Sequence, residues 1–382
     1  MAIVGKSKRG ASLLSYGLVV GLISVVALSA VTQIGSQGSN LFDTVGQSLN
    51  DVTSGQVGGA AGSGGGNPED TGCTPGDTVF TTPGGPYSFD LASDGDADCP
   101  VVTVLAWGGG GAGAGGVGTG SSAVGGAGGF VSAVLASGVV DAGLQIHVGG
   151  GGAAVTEDFT VISTGQNFQA TVGSGGGGSA VLNSVGSEII VAGGGGGASN
   201  LRGGNGGGNS SGTGGIAAED APDCDSGNAQ GGHGGSVSAP GAGGVGSRRN
   251  GQAGSGRNGG DGTSPNGVYD NAVTVGYGTG GAGYGFRQRD DFPDDGDNGG
   301  GGGGGGWFGG GGGGGSPAGC GGGGGASYRD ASLTDTGSSV RGSGTTAAGM
   351  AKVGYITGAS AGGSALPGTD GGDGLVIIRW SE

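Results

Sequence analysis

The chain has 382 residues, 114 of them glycine and only 11 proline, and it shows no Gly-X-Y period, which excludes a collagen triple helix. Aromatic residues at 5% are too few for an ordinary side-chain core of this size, and charged residues at 11% are too few for a highly charged disordered tail. The formal net charge is −16, and Lys6, Lys8 and Arg9 are the only charges before Asp43; a body this acidic sets aside nucleic acid and anionic lipid as partners, since both require Lys and Arg against phosphate.

The stretch "KSKRGASLLSYGLVVGLISVVALSAVTQIGSQGSNLF" joins a short basic head to an uncharged run from Ala11 to Phe42. Residues 13–34 are apolar enough to cross a bilayer of about 30 Å as a helix. Basic residues on the amino side predict that residues 1–10 are a cytoplasmic leader and that the rest is exported. Leu41, Val45, Leu49 and Val52, spaced by three or four, extend the helical stripe past the membrane run. The predicted element is thus one hydrophobic helix over residues 11–52. A secretory signal cut between Ala27 and Ala30 is the competing reading, and it has no use for the extended stripe.

Gly10 follows Lys8 and Arg9, and Tyr16 is the sixth residue after it. In this order residues 5–52 resemble the type IVb (Flp or Tad) prepilins. The resemblance implies cleavage between Gly10 and Ala11 by a prepilin peptidase. It also implies an inner-membrane assembly platform, and polymerisation with other copies of the chain through residues 11–52 into a filament at the bacterial surface. Tyr16 belongs to that assembly helix, and its small residues Gly17 and Gly21 would allow helices to approach closely. One position departs from the family: Ser15 stands where a glutamate is normally found.

Residues 53–72, "TSGQVGGAAGSGGGNPEDTG", have turn residues and no period, and read as a flexible linker. Residues 73–382 then form one exported domain. Its four cysteines, Cys73, Cys99, Cys224 and Cys320, read as disulfides; three pairings are possible, and local order favours Cys73 with Cys99 and Cys224 with Cys320. Zinc is the rival reading, weakened by the absence of a Cys-x-x-Cys spacing and by only two histidines, His147 and His233.

Short apolar or alternating strings punctuate the glycine and predict strands at 78–83, 86–91, 101–107, 130–136, 144–148, 179–182, 188–193 and 374–380. No helical period follows residue 53. The first and last strings lie far apart in the chain, so the strands must close into one sandwich from which glycine excursions leave and return. Glycine at nearly every position permits extended helices of three residues per turn, close enough for backbones to bond each other in a parallel bundle. The run from Gly299 to Gly306 would span about 25 Å in that form, with Trp307 and Phe308 at a turn.

The ordered series "VVTVLAWGGGGAGAGG", "GGFVSAVLA", "LQIHVGGGGA", "IIVAGGGGGAS", "GGGWFGGGGGGG" and "GGDGLVIIRW" resembles, over residues 78–380, the glycine-rich domain of anaplastic lymphoma kinase receptors, bacterial surface proteins and phage tail-fibre adhesins. The resemblance implies a jelly-roll-like β unit carrying polyglycine helices, with loops that contact partners, and recognition rather than catalysis. The fold expected of the whole chain is an N-terminal hydrophobic α-helix followed by an all-β jelly-roll-like sandwich bearing a bundle of polyglycine II helices.

Enzymatic motifs carry little weight here. Gly-x-Gly-x-x-Gly recurs through composition and opens no helix after a strand, and Gly-x-Ser-x-Gly around Ser210 and Ser360 lacks the strand-to-helix turn of a nucleophile elbow. No cofactor is expected. The acidic strings are candidates for calcium: Asp94, Asp96 and Asp98 in one, and Asp290, Asp291, Asp294, Asp295 and Asp297 in the other. Solvated turns are the plainer reading of both. Candidate contacts with a surface receptor or glycan are Tyr284, Phe286, Arg287, Arg289, Trp307, Phe308 and Tyr328, types enriched in binding hot spots. The functional expectation is a pilin-like subunit displaying a glycine-rich domain for adhesion or surface coating. The alternatives are a singly anchored or secreted adhesin that does not polymerise, and an ice-binding or matrix-forming glycine protein.

Overall fold

Strands form where valine, isoleucine and aromatic residues cluster between the glycine runs. The computed structural model describes residues 72–117, 122–136, 138–140, 143–161, 166–199, 201–208, 214–222, 224, 229–246, 250–262, 275–284, 299–315, 319–352, 354–363 and 368–382. Its strands in chain order are β1 (Gly76–Phe80), β2 (Gly84–Phe89), β3 (Val101–Trp107), β4 (Ala114–Val117), β5 (Ser122–Ala123), β6 (Phe130–Leu135), β7 (Leu144–Val148) and β8 (Ala154–Val161). They continue with β9 (Gln166–Gly173), β10 (Ser179–Asn183), β11 (Glu188–Ala192), β12 (Gly214–Ile216), β13 (Ser327–Arg329), β14 (Thr334–Val340) and β15 (Leu375–Ser381).

A five-stranded antiparallel sheet, β1-β15-β3-β6-β14, faces a six-stranded one, β12-β13-β11-β10-β7-β2. Alternation decides which side chains meet between them. Val102, Val104 and Ala106 of β3 and Val376, Ile378 and Trp380 of β15 point inward to meet Leu144, Ile146 and Val148 of β7 and Val181 of β10. The intervening residues Leu105, Trp107, Leu375 and Ile377 pack on the outer face of the first sheet, under Ala348 and Tyr355.

The expected architecture is corrected in its first part. The described chain is built from strands, and its helix α1 (Leu91–Asp94), capped by the Asp90 carboxylate, has only four residues. No helix among the described residues is long and apolar enough to cross a membrane. The described chain forms strands because apolar residues after residue 72 alternate or form short blocks bounded by glycine and do not recur every three or four positions. The helix expected over residues 11–52, with Gly10, Ala11, Ser15, Tyr16, Gly17 and Gly21, lies outside the described residues. The β-sandwich stands. The disulfides join Cys73 to Cys99 and Cys224 to Cys320, with Cα atoms 4.5 and 5.4 Å apart.

Glycine runs leave or enter the strands at one end of the sandwich and become a lattice. Gly108 and Gly111 donate to Gly129 and Gly126, Gly109 and Ala112 to Gly177 and Ser174, and Gly110 and Gly113 to Gly372 and Thr369, all at 2.8–3.0 Å. Successive amides thus bond three different neighbours and return to the first after three residues, the pattern of an extended threefold helix. The same rule holds deep in the lattice. Gly301 and Gly304 donate to Cys320 and Gly323, Gly302 and Gly305 to Gly173 and Gly176, and Gly303 and Gly306 to Gly260 and Arg257. The first two of these neighbours run parallel to the 301–306 segment and the third antiparallel, so the bundle is mixed rather than uniformly parallel.

Room, not backbone freedom, is what demands glycine here. A Cβ at Gly303 would lie 2.1 Å from the Gly310 carbonyl oxygen, and one at Gly110 only 1.9 Å from that of Ala361. Residues 300–306 all avoid positive φ, so alanine's backbone preference is not the obstacle. Where the sheets give way to the lattice, buried serines make the joint: Ser179 Oγ accepts from the Gly149 N–H and donates to the Trp107 carbonyl, and Ser327 Oγ accepts from the Gly193 N–H. At the lattice margin carboxylates take the place of missing carbonyl partners. Asp373 accepts from Gly151 N–H, Asp370 from Ala154, Asp220 from Gly234 and Asp261 from Ala282, at 2.6–2.9 Å. Beyond the lattice, β4, β8 and β9 continue three of its runs into a four-stranded sheet, β5-β4-β9-β8.

Gly303→Ala should lower stability by about 2–3 kcal/mol through overpacking, while Ala253→Ser at an exposed lattice position should stay within about 0.5 kcal/mol. Chemical denaturation of the two variants checks this. Amide exchange over 299–315 supplies a second check; random-coil rates there would return the segment to the class of flexible linkers.

Candidate contact surface at the seam of sheet and lattice

The lattice exposes few side chains, so groups able to recognise a partner gather where glycine helices turn. One such place covers the outer face of the six-stranded sheet. Ala180 and Leu182 of β10 and Val191 of β11 face outward there, and Tyr277, Trp307 and Tyr328 close over them. Tyr277 reaches the sheet from the turn after Val275, Tyr328 lies on β13, and Trp307 and Phe308 form the turn between two glycine helices.

The rings are specifically arranged. Trp307 and Tyr328 stack with centroids 4.0 Å apart and planes 15° from parallel, while Phe308 meets Trp307 edge-on at 5.6 Å and 69°. The Tyr277 ring takes His147 on one side, at 5.4 Å, and the Arg257 guanidinium above it, 4.6 Å from the centroid. Arg257 and the Tyr277 hydroxyl both donate to the same oxygen of Glu188, which stands at the first position of β11. Backbone bonds fix the approach: Gly306 donates to the Arg257 carbonyl at 2.9 Å and Gly309 to that of Gly256 at 3.0 Å, holding the arginine turn against the Trp307–Phe308 turn.

Charge is balanced within the cluster. Burial pushes the Glu188 carboxyl up, but hydrogen bonds from Tyr277 and Arg257, with the arginine charge, outweigh it and hold the carboxyl below its ordinary range. Burial, and then the bond to Glu188, pushes the Tyr277 hydroxyl far above its ordinary value, so it stays a donor. Burial, and secondarily the Arg257 charge, lowers the His147 imidazole and keeps it neutral near pH 7. At the Tyr328 end the hydroxyl donates to Asp330 at 3.3 Å, and Asp330 also accepts from the Ser332 amide and hydroxyl.

Of the residues singled out in the sequence, Trp307, Phe308 and Tyr328 are brought together. Tyr284 is not among them: its N–H donates to Gly300, at the opposite end of the glycine run that finishes at Trp307. Phe286, Arg287 and Arg289 lie outside the described residues, as do Asp290, Asp291, Asp294, Asp295 and Asp297. In the other acidic string, the carboxylates of Asp94 and Asp96 accept backbone N–H groups of Asp90, Thr74 and Asp98. Among the described residues no cluster of three or more His, Cys, Asp or Glu is placed to hold a metal ion. Ser360, the centre of a Gly-x-Ser-x-Gly match, is fully buried with φ of 62°, and its hydroxyl has no hydrogen-bond partner among the described residues. Sequence reasoning missed Tyr277, Arg257, Glu188 and His147. The first two stand alone in "VGYGTG" and "GSGRNGG", and an isolated large side chain in glycine is the signal that marks a lattice turn.

The chain matches no protein-family model and no curated protein.

The lowered Glu188 carboxyl carries a signed pH dependence. Its contribution is complete above the ordinary carboxylate value of 4.5 and is lost as pH falls through the lower folded value. Glu188→Gln should therefore cost about 1 kcal/mol at neutral pH and flatten the acid limb of the stability curve. Urea denaturation across that pH range measures both effects.

Proposed function

We propose that this chain is a pilin-like bacterial surface protein, whose glycine-lattice domain serves adhesion or surface coating at the end of a tether. The observation that carries the reading is the division of labour among the described residues: backbone bonded to backbone forms a stiff body, and side chains able to meet a partner collect at its turns. Two disulfides fit an oxidising compartment outside the cytoplasm. The Lys-Arg-Gly head supports processing by a prepilin peptidase and assembly on an inner-membrane platform, with residues 11–52 holding copies together. A specific residue favours a second reading: Ser15 in place of the family's glutamate removes a carboxylate expected to set register, and that suits a singly anchored adhesin which does not polymerise.

The mass of the mature protein tests the proposal. Cleavage between Gly10 and Ala11 is expected, leaving the apolar segment on the product. A mature chain beginning near Ala30 would overturn the pilin reading and leave a secreted glycine-rich protein. If cleavage follows Gly10 but electron microscopy of the exported protein shows no filaments, the anchored adhesin is the better account.

A further inference from the structure

We infer that the seam cluster is a binding site for a neutral hexopyranose, built from Trp307, Phe308, Tyr328, Tyr277, Arg257 and Glu188. The inference rests on the adhesive reading of the domain and names the chemistry its partner would present. Aromatic residues make up 5% of the chain, yet three of them share this small hydrophobic cluster and a fourth, Phe308, adjoins it. Tyr277 is the foundation, 8% exposed, whereas Trp307, Phe308 and Tyr328 each remain partly open to solvent. Phe308 stands at 69° to Trp307, so the aromatic surface is angled rather than flat. A pyranose ring offers a matching surface, because its axial C–H bonds carry partial positive charge toward the negative face of an aromatic ring.

Polar groups border the aromatic cluster, the Arg257 carbonyl accepting from the Gly306 N–H next to Trp307. Arg257 has half its side chain exposed, and Glu188 anchors it through a single guanidinium nitrogen, Nη2. A guanidinium has five N–H donors in a planar fork, suited to adjacent hydroxyls. Glu188 and the Tyr277 ring beneath it hold that fork in place, so little side-chain freedom is lost when a ligand binds. Charge decides between neutral and acidic sugars. The positive charge of Arg257 is matched by Glu188, and the site sits on a chain with net charge −16, so sialylated, uronic or phosphorylated glycans meet a repulsive field.

The full exported protein, titrated with neutral mono- and disaccharides terminating in galactose, glucose or mannose, tests this. Trp107 is fully buried and Trp380 is 8% exposed, so a change in tryptophan fluorescence on binding reports chiefly on Trp307. Saturable binding is expected, weakened at least tenfold by Phe308→Ala and by Arg257→Ala, with thermal unfolding and near-UV circular dichroism confirming that both variants fold. Arg257→Lys should recover only part of the loss, since an ammonium lacks the fork. Equal binding by the parent and both alanine variants overturns the site, as does binding confined to acidic glycans or to an unglycosylated peptide. Adhesion of the parent protein to cells that neutral sugars do not compete and Phe308→Ala does not reduce refutes the glycan assignment while leaving the adhesive reading intact. No adhesion to any cell or glycan surface defeats both.

Discussion

A backbone hydrogen bond between two chains that approach too closely for a Cβ is the constraint on which this structure depends. Ordering glycine carries the largest backbone entropy loss of any residue, so a run such as 299–315 folds only if nearly every amide and carbonyl is satisfied. Three neighbours per helix achieve that, and the sandwich is what brings the neighbours together. Inside the sandwich, side chains keep the two sheets apart. Past Trp107, Val148 and Ala192 the side chains stop, and runs from opposite sheets bond directly, as Gly126 does to Gly196 and Gly129 to Gly193. The Cys224–Cys320 disulfide spans 96 residues and ties the glycine-rich excursion to a buried position of the lattice, which in the chain-entropy model favours folding by roughly 4–5 kcal/mol.

The acidic composition gains a structural meaning from the same constraint. A lattice has margins, and its outermost amides lack a carbonyl beside them. Aspartate supplies an acceptor on a short stem without crowding the helices, as at Asp220, Asp261, Asp370 and Asp373. Asn205 performs the interior version. Its carboxamide oxygen accepts from Ala127 and Gly344 while its nitrogen donates to Glu219, so one buried side chain joins separate lattice segments. Charge that reads from composition as a statement about partners is therefore in part a statement about edges.

Strands rich in branched apolar residues were legible in the sequence because their pattern is local: β3, β7, β11 and β15 need nothing but their own residues to be recognised. β14, "TDTGSSV", was not legible. It is a polar edge strand that exists because β6 offers a ladder and Ser132 and Ser338 bring their hydroxyls within 3.1 Å. β8 and β9 escaped notice for a related reason, their apolar residues being diluted by charge and amide. The lattice was legible as a type of structure but not as a set of pairings. Gly303 and Gly304 are identical in sequence terms and yet bond Gly260 and Gly323, and no local signal distinguishes them. The seam cluster was half legible: Trp307, Phe308 and Tyr328 stand out against glycine, whereas Glu188 and His147 are brought to it by sheet register.

The clamp at the start of the domain has a mechanical meaning. Among the described residues β1 is an edge strand bonded only to β15, and a strand of that kind, pulled from its Gly76 end, opens one bond at a time. Cys73 precedes it, however, and is joined to Cys99, while Thr74 is held by the Asp96 carboxylate and by Trp380 Nε1. Tension arriving along the preceding chain therefore bypasses β1 and enters at Cys99, two residues before β3. That strand lies between β15 and β6 and continues at its far end into the glycine lattice. A load applied between Cys73 and the lattice would run along β3, so the flanking ladders would resist in shear, with many bonds sharing the force at once.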